Sequence, residues 1–311
     1  MTRLRLLLTT LALTCCIAAC GDSLAQARRH RAPAHNTAAK RGQATGKVKS
    51  VSLVSGGHRR TYLLYVPPGD SKSHRLPLVL VYHGAMDTAQ GTTSETDLLS
   101  SAEHSHNMIL VFPQGYDDTW NEGAGHTPAE QAHINDVAFT AAILSRVESD
   151  FYVNTHLVVA TGLSNGALLT ELLGCRLAGQ LTLIAPVEGQ IPASVSPGCH
   201  PAAPISVYEI HGTADQAIPY GGGHFSGVGG GTTVLSAPAS AARWASLDHC
   251  SGKPRTAASG GVNLRLYTGC RAHVRVTLAT IEGGQHQWPT SFAQTLLGAM
   301  SAVRNARAAT P

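Results

Sequence analysis

The stretch Val158-Val159-Ala160-Thr161-Gly162-Leu163-Ser164-Asn165-Gly166-Ala167 joins an apolar strand-like run, a G-x-S-x-G pentapeptide and a helix-like run end to end. That order constrains the fold more than the pentapeptide does, because a chain with 32 glycines can hold such a string in an ordinary turn. On a sharp strand-to-helix turn, a serine between two glycines has its hydroxyl pushed out above the sheet edge. The helix that follows aims its first amides at the same point.

The rest of the chain supplies the sheet such a turn requires. Val48–Val54 and Thr61–Val66 alternate apolar and polar positions around Ser55-Gly56-Gly57-His58, which predicts an antiparallel hairpin. Buried strands are expected at Leu78–Tyr82, Met108–Phe112, His156–Ala160, Leu181–Ala185, Ile205–Ile210 and Val274–Ile281. Helical stretches over 88–104, 134–149, 165–178 and 239–247, and one near the C-terminus, separate them, and 221–231 reads as a glycine-rich loop. Val/Ile/Leu-rich strands alternating with helices predict an α/β fold: a mostly parallel central sheet, helices on both faces and an N-terminal antiparallel hairpin. In such sheets ligands bind beyond the carboxyl ends of the strands.

Four predicted strands end in polar, glycine-bearing turns, at His83-Gly84, Ser164, Asp215 and His286. A serine hydroxyl is a weak nucleophile until a neutral imidazole takes its proton, and that imidazole needs a carboxylate on its other nitrogen. Ser164, Asp215 and His286 are the catalytic candidates, and their order along the chain, nucleophile then acid then base, is that of the α/β-hydrolases. The developing oxyanion needs two amide donors, expected from Asn165 and Ala85. Glu188 competes with Asp215 for the acid, and His211, His224, His249 and His273 compete with His286 for the base. His83, Trp120, Tyr220 and Trp288 lie in turns and loops at the same edge, where they can contact substrate or simply pack.

Charge and cysteines indicate the compartment. Nine of the 23 Lys/Arg lie within residues 1–50 beside one acid, Asp22, which leaves 14 Lys/Arg against 18 Asp/Glu in residues 51–311. The body is mildly acidic, so the formal charge of +4 does not point to nucleic acid. Arg3 and Arg5 followed by the apolar stretch from Leu6 read as an export signal over 1–19, too short for a permanent span. Ile17-Ala18-Ala19-Cys20-Gly21 resembles a bacterial lipobox with Cys20 as the lipidated residue, the alternative being a plain cleaved signal. Residues 20–46 then read as a basic tether, and 47–311 as the folded domain. Past the signal, Cys175, Cys199, Cys250 and Cys270 form an even set, as expected in an oxidising compartment; of the three connectivities, the local pairs 175–199 and 250–270 are adopted. No C-x-x-C spacing suggests zinc, and His104-Ser105-His106 reads as a surface cluster rather than a metal site.

Taken together, Val81-Tyr82-His83-Gly84, Gly162-Leu163-Ser164-Asn165-Gly166, His211-Gly212-Thr213-Ala214-Asp215 with Pro219-Tyr220, and Gly283-Gly284-Gln285-His286-Gln287-Trp288-Pro289 resemble the polyhydroxybutyrate depolymerase/feruloyl esterase family of α/β-hydrolases over roughly residues 48–300. The resemblance implies carboxylic-ester hydrolysis through an acyl-enzyme, disulfides, and neither metal nor other cofactor. The sequence departs from the family at Gln285, where a third glycine is usual, and at Ala85-Met86, where the depolymerases commonly carry a cysteine. It also shows no separate polymer-binding domain. The expected partners are an ester substrate, which can be a hydroxyalkanoate oligomer, a feruloyl or acetyl ester of a polysaccharide or a short acyl ester, and a membrane reached through the N-terminal lipid. Acyl transfer to a cell-envelope sugar and a non-catalytic polymer-binding lipoprotein are the alternatives.

Overall fold

The computed structural model describes residues 42, 44–105, 107–259 and 261–308; the expectations for the export signal, Cys20, the tether up to residue 41, and His106 lie outside the described residues. The strands are β1 (Val48–Ser55), β2 (His58–Tyr65), β3 (Leu76–Tyr82), β4 (Ile109–Pro113), β5 (Val153–Leu163), β6 (Leu183–Val187), β7 (Ser206–Gly212), β8 (Gly223–Gly227), β9 (Gly230–Val234), β10 (Arg255–Ser259), β11 (Val262–Tyr267) and β12 (Val276–Ile281). The helices are α1 (Ala89–Glu95), α2 (Leu98–Ser105), α3 (Pro128–Gln131), α4 (Asp136–Asp150), α5 (Asn165–Leu177), α6 (Ala237–Leu247) and α7 (Phe292–Ala308).

Ten strands form one sheet in the order β1-β2-β4-β3-β5-β6-β7-β12-β11-β10. The run from β4 to β12 is parallel throughout. Strands β3 to β7 are buried nearly end to end, as expected where helices cover both faces. One apolar core, with Leu80, Ile143, Leu173 and Trp244, lies on the face packed by α4, α5 and α6. The other, with Val81, Val159, Phe292 and Leu296, lies on the face packed by α7.

The N-terminal hairpin is present, turning at Gly56-Gly57 and pairing antiparallel with β4. The expected helix over 88–104 is two helices: α1 ends at Thr96, whose extended backbone stops it. The stretch expected as a glycine-rich loop instead contains the β8–β9 hairpin. A third antiparallel hairpin, β10–β11, closes the far edge of the ten-stranded sheet. Its alternating Val262-Asn263-Leu264-Arg265-Leu266 fits a strand with only one face covered.

Cys175 is bonded to Cys199 and Cys250 to Cys270. The first bond ties α5 to the segment after β6. No helix among the described residues is long and apolar enough to cross a membrane.

Candidate active site

Parallel register carries the ends of the central strands to one edge: Tyr82 pairs with Gly162, Leu163 with Val187, Val187 with Ile210, and Gly212 with Ile281. The turns at His83-Gly84, Ser164, Asp215 and His286 all leave that edge. Strand order reverses direction between β3 and β5, which is where doubly wound sheets open a crevice.

Ser164 occupies the strand-to-helix turn with φ 58° and ψ −121°, a strained conformation for a residue with a side chain. Val187 O accepts its amide at 3.0 Å, and Ser164 O accepts from Ala167 and Leu168 in the first turn of α5. The flanking glycines are required sterically: a Cβ on Gly162 would strike Gly166, and one on Gly166 would stand 2.5 Å from the carbonyl oxygens of Tyr82 and His83. The turn therefore packs directly on the end of β3.

Asp215 is 4% exposed. Its Oδ1 accepts the amides of Ala217 (2.7 Å) and Ile218 (2.9 Å), and its Oδ2 accepts from His286 Nδ1 at 2.8 Å. Burial pushes this carboxyl up, but its hydrogen bonds with His211 and His286 outweigh that and hold it below the usual carboxylate range. With Nδ1 donating to the carboxylate, Nε2 of His286 is left with the lone pair a base needs. The acid and base loops are laced together, Ala214 N donating to Gly284 O and Gly283 N to Thr213 Oγ1. No hydrogen bond joins the Ser164 hydroxyl to His286 in this structure, and catalytic contacts of this kind often tighten only with substrate bound.

Among the rivals, Glu188 does not reach His286. It follows β6 directly, with φ 51°, and its carboxyl accepts from Gly212 N at 3.1 and 3.0 Å. Burial raises its pKa to about 9, and the neighbouring Asp215 adds to the rise, so it stands behind the acid as a neutral carboxyl group. His211 is fully buried, and its Nε2 donates to Ile218 O at 2.9 Å while facing Asp215 Oδ2 at 3.3 Å and Glu188 Oε2 at 3.4 Å. His224, His249 and His273 are exposed elsewhere on the chain. Sequence reading weighed Glu188 and His211 as competitors and missed them as support, although both lie within two residues of a strand end.

Asn165 opens α5, where a first-turn amide has no intrahelical partner. Its side-chain Oδ1 accepts Trp120 N at 2.8 Å. At the other expected donor, Met86 N is spent on Asp118 O, leaving the Ala85 amide at the turn between Gly84 and Met86. Met86 has φ 65° and is 77% exposed beside this turn.

Of the residues expected to contact substrate or to pack, His83, Trp120 and Trp288 are buried. His83 Nε2 accepts Gly115 N (2.9 Å), so Nδ1 carries the hydrogen and donates to Gly84 O (2.7 Å); burial lowers its pKa. Trp120 is fully buried with its indole N–H on His83 O at 2.8 Å, and its ring lies 4.6 Å from the imidazole. Both rings brace the His83-Gly84 turn. Trp288 packs on Phe292 in the α7-side core. Tyr220 is half-buried with its hydroxyl against Thr280 Oγ1 at 3.0 Å. Loop 115–133 is fixed by Asp136, which accepts Asn121 N at 2.8 Å and pairs with buried Arg60 at 2.7 Å.

A groove of about 970 Å³ runs between α7 and the β7–β12–β11 face, bordered by Val207, Leu264, Ala279 and Val303. It touches Glu188 and Gln285, but neither Ser164 nor His286 lines it, so it lies beside the strand-end site rather than at it.

This sheet, with its strained serine turn and Asp215–His286 pair at one edge, has the α/β-hydrolase fold. Its sequence relatives carry esterase names. The chain is 29% identical over 234 residues to feruloyl esterase B of Piromyces equi, covering 73% of this chain and 42% of that protein. It is 28% identical over 182 residues to feruloyl esterase C of Emericella nidulans, covering 56% of this chain and 63% of that protein. The chain thus spans less than two thirds of the length of either. Among solved structures, the acetyl xylan esterase from Aspergillus awamori superposes with a TM-score of 0.61 at 12% identity, over 83% of this chain and 100% of that one, a likeness of fold. No family model matches the chain.

Proposed function

We propose that the chain is a serine carboxylic-ester hydrolase acting through an acyl-enzyme on Ser164. The observation that carries this reading is the 2.8 Å contact of His286 Nδ1 with an ionised, buried Asp215 at the strand edge that also presents the strained Ser164. His286 Nε2 takes the Ser164 proton as Oγ attacks the ester carbonyl, and Asp215 stabilises the imidazolium that forms. The Asn165 and Ala85 amides receive the oxyanion. Collapse releases the alcohol, protonated by His286, and leaves an acyl group on Ser164. Water, activated by the same imidazole, then releases the acid.

The esterase names of the relatives support ester substrates, and feruloyl esters are the class two of them share. We take the substrate to be a feruloyl, acetyl, short acyl or hydroxyalkanoate ester. Comparing kcat/KM on feruloyl, acetyl, butyryl and 3-hydroxybutyryl esters tests this: hydrolysis of at least one is expected, and failure on all four would contradict it. Export and anchoring through a lipid on Cys20, with residues 20–46 as a tether to the domain, rest on the N-terminal sequence. Detergent partitioning and the N-terminal mass of the exported protein test them, an unmodified soluble N-terminus being the contrary result.

A further inference from the structure

Away from the strand-end site, Glu122, His126 and Glu130 come together on the loop between Trp120 and α4. One ligand atom from each lies within 4.8 Å of the other two, and all three residues are buried. His126 Nδ1 stands 3.4 Å from Glu122 Oε1 and 3.8 Å from Glu130 Oε2. These gaps are too long for good N–H···O hydrogen bonds. Ligands at about 2.0–2.1 Å from a tetrahedral zinc ion stand roughly 3.3–3.5 Å from one another; the His126–Glu122 gap matches that spacing and the His126–Glu130 gap is somewhat wider.

The unmet demand of Glu122 is an independent observation. Its side chain is fully buried, and its own amide and the Asn165 side chain face the carboxyl without a hydrogen bond of good geometry to either oxygen; His126 Nδ1, also buried, has no hydrogen-bond partner. A buried carboxyl without partners is costly. A proton on Glu122 could bridge one oxygen to His126 Nδ1, leaving the other to the Asn165 side chain and the Glu122 amide at poor geometry. A divalent cation satisfies Glu122 and His126 at once, with Glu130, already anchored by two backbone amides, as a third ligand, and it neutralises the two carboxylates beside a neutral imidazole.

We propose that Glu122, His126 and Glu130 form a structural site for a divalent transition-metal ion of the zinc type. The imidazole ligand selects zinc over calcium and magnesium, which take oxygen ligands. The surroundings hold the ligands in place. Thr127 caps α3 in a capping box in which Glu130 Oε2 accepts His126 N at 2.6 Å and Thr127 N at 3.2 Å. The β8–β9 hairpin lies against His126, with the Phe225 ring 6.3 Å away edge-on, and glycine at 229 leaves room for the His126 carbonyl. The ion braces the loop whose Trp120 backbone is held by the Asn165 side chain. The site does not depend on the esterase reading, and metal content and melting temperature read it without any activity measurement.

The test uses the full chain, stripped with EDTA and then equilibrated with ZnCl2 or CaCl2, beside Glu122→Gln and His126→Ala. The wild type is expected to hold one more Zn2+ per chain than either variant by elemental analysis. Its Tm should rise with Zn2+ but not with Ca2+, and the rise should vanish in both variants. Loss of a ligand should weaken Zn2+ binding by more than the roughly 10- to 100-fold that loss of an outer-sphere partner costs. The same Zn2+ content and Tm response in wild type and both variants would overturn the proposal and leave Glu122 as a protonated neighbour of His126. Should the variants not fold, Co2+ loading of the wild type decides: the visible absorption of a four-coordinate site supports the assignment, and its absence overturns it.

Discussion

A Cβ on Gly166 would stand 2.5 Å from the carbonyl oxygen of His83. The Ser164 turn and the His83-Gly84 turn are thus in backbone contact, and their spacing is set by the absence of one methyl group. Gly166→Ala must push the two turns apart. We expect a loss of about 1–3 kcal/mol of stability, typical of overpacking, together with a larger loss of kcat than of substrate affinity. Urea unfolding and steady-state kinetics on a p-nitrophenyl ester check this.

The Asp215 carboxylate orients His286 at 2.8 Å. Asp215→Asn keeps the shape but can hand a hydrogen to Nδ1, imposing the wrong tautomer; a fall of about 10⁴-fold in kcat is the expected scale. Glu188, by contrast, is already a neutral carboxyl group behind Asp215, so Glu188→Gln should keep most of the activity. If Glu188→Gln falls as far as Asp215→Asn, the acid has been assigned to the wrong residue.

Glu171 is fully buried beneath α6, with Trp244 Nε1 donating to its Oε2 at 2.6 Å. Burial raises its pKa from 4.5 to about 8. Between those values the folded chain holds a proton that the unfolded chain has released, so stability falls as pH rises through this window and is fully present below it. Glu171→Gln keeps an acceptor for Trp244 and removes the titration. Its unfolding free energy should therefore vary less than that of the wild type between pH 5 and pH 8, roughly spanning the window, as measured by urea denaturation.

Cys175–Cys199 and Cys250–Cys270 close segments of 24 and 20 residues. Each is expected to contribute about 3 kcal/mol by constraining the unfolded chain. A thermal melt with and without a phosphine reductant in mild denaturant should show a clear drop in Tm, and an unchanged Tm would contradict a stabilising role for both.

Much of this arrangement is legible in the chain because it depends on local signals. Apolar runs ending in glycine-bearing turns mark β3, β5, β7 and β12, and the turns that follow them carry His83, Ser164, Asp215 and His286 within five residues of the strand ends. The β10–β11 edge was harder to read, since β10 is short, Arg255-Thr256-Ala257-Ala258 is exposed, and the strand depends on β11 for pairing. The roles of His83 and Trp120 were not legible at all. An aromatic ring in a loop at the ligand edge looks the same in sequence whether it faces substrate or closes a hydrogen bond beneath the turn. Only the tertiary contacts, Gly115 N on His83 and Trp120 on the His83 carbonyl, separate the two. The Glu122, His126 and Glu130 cluster was hidden for a related reason: its spacing matches no common metal motif, and the capping turn at Thr127 brings the three together.

The central claim is that Ser164 carries the acyl group. Hydrolysis of p-nitrophenyl butyrate by the wild type and by Ser164→Ala, with the intact mass of each protein taken during turnover, tests it most directly. We predict turnover and a transient butyryl adduct on the wild type, and neither with Ser164→Ala. Equal hydrolysis by both proteins would contradict the assignment.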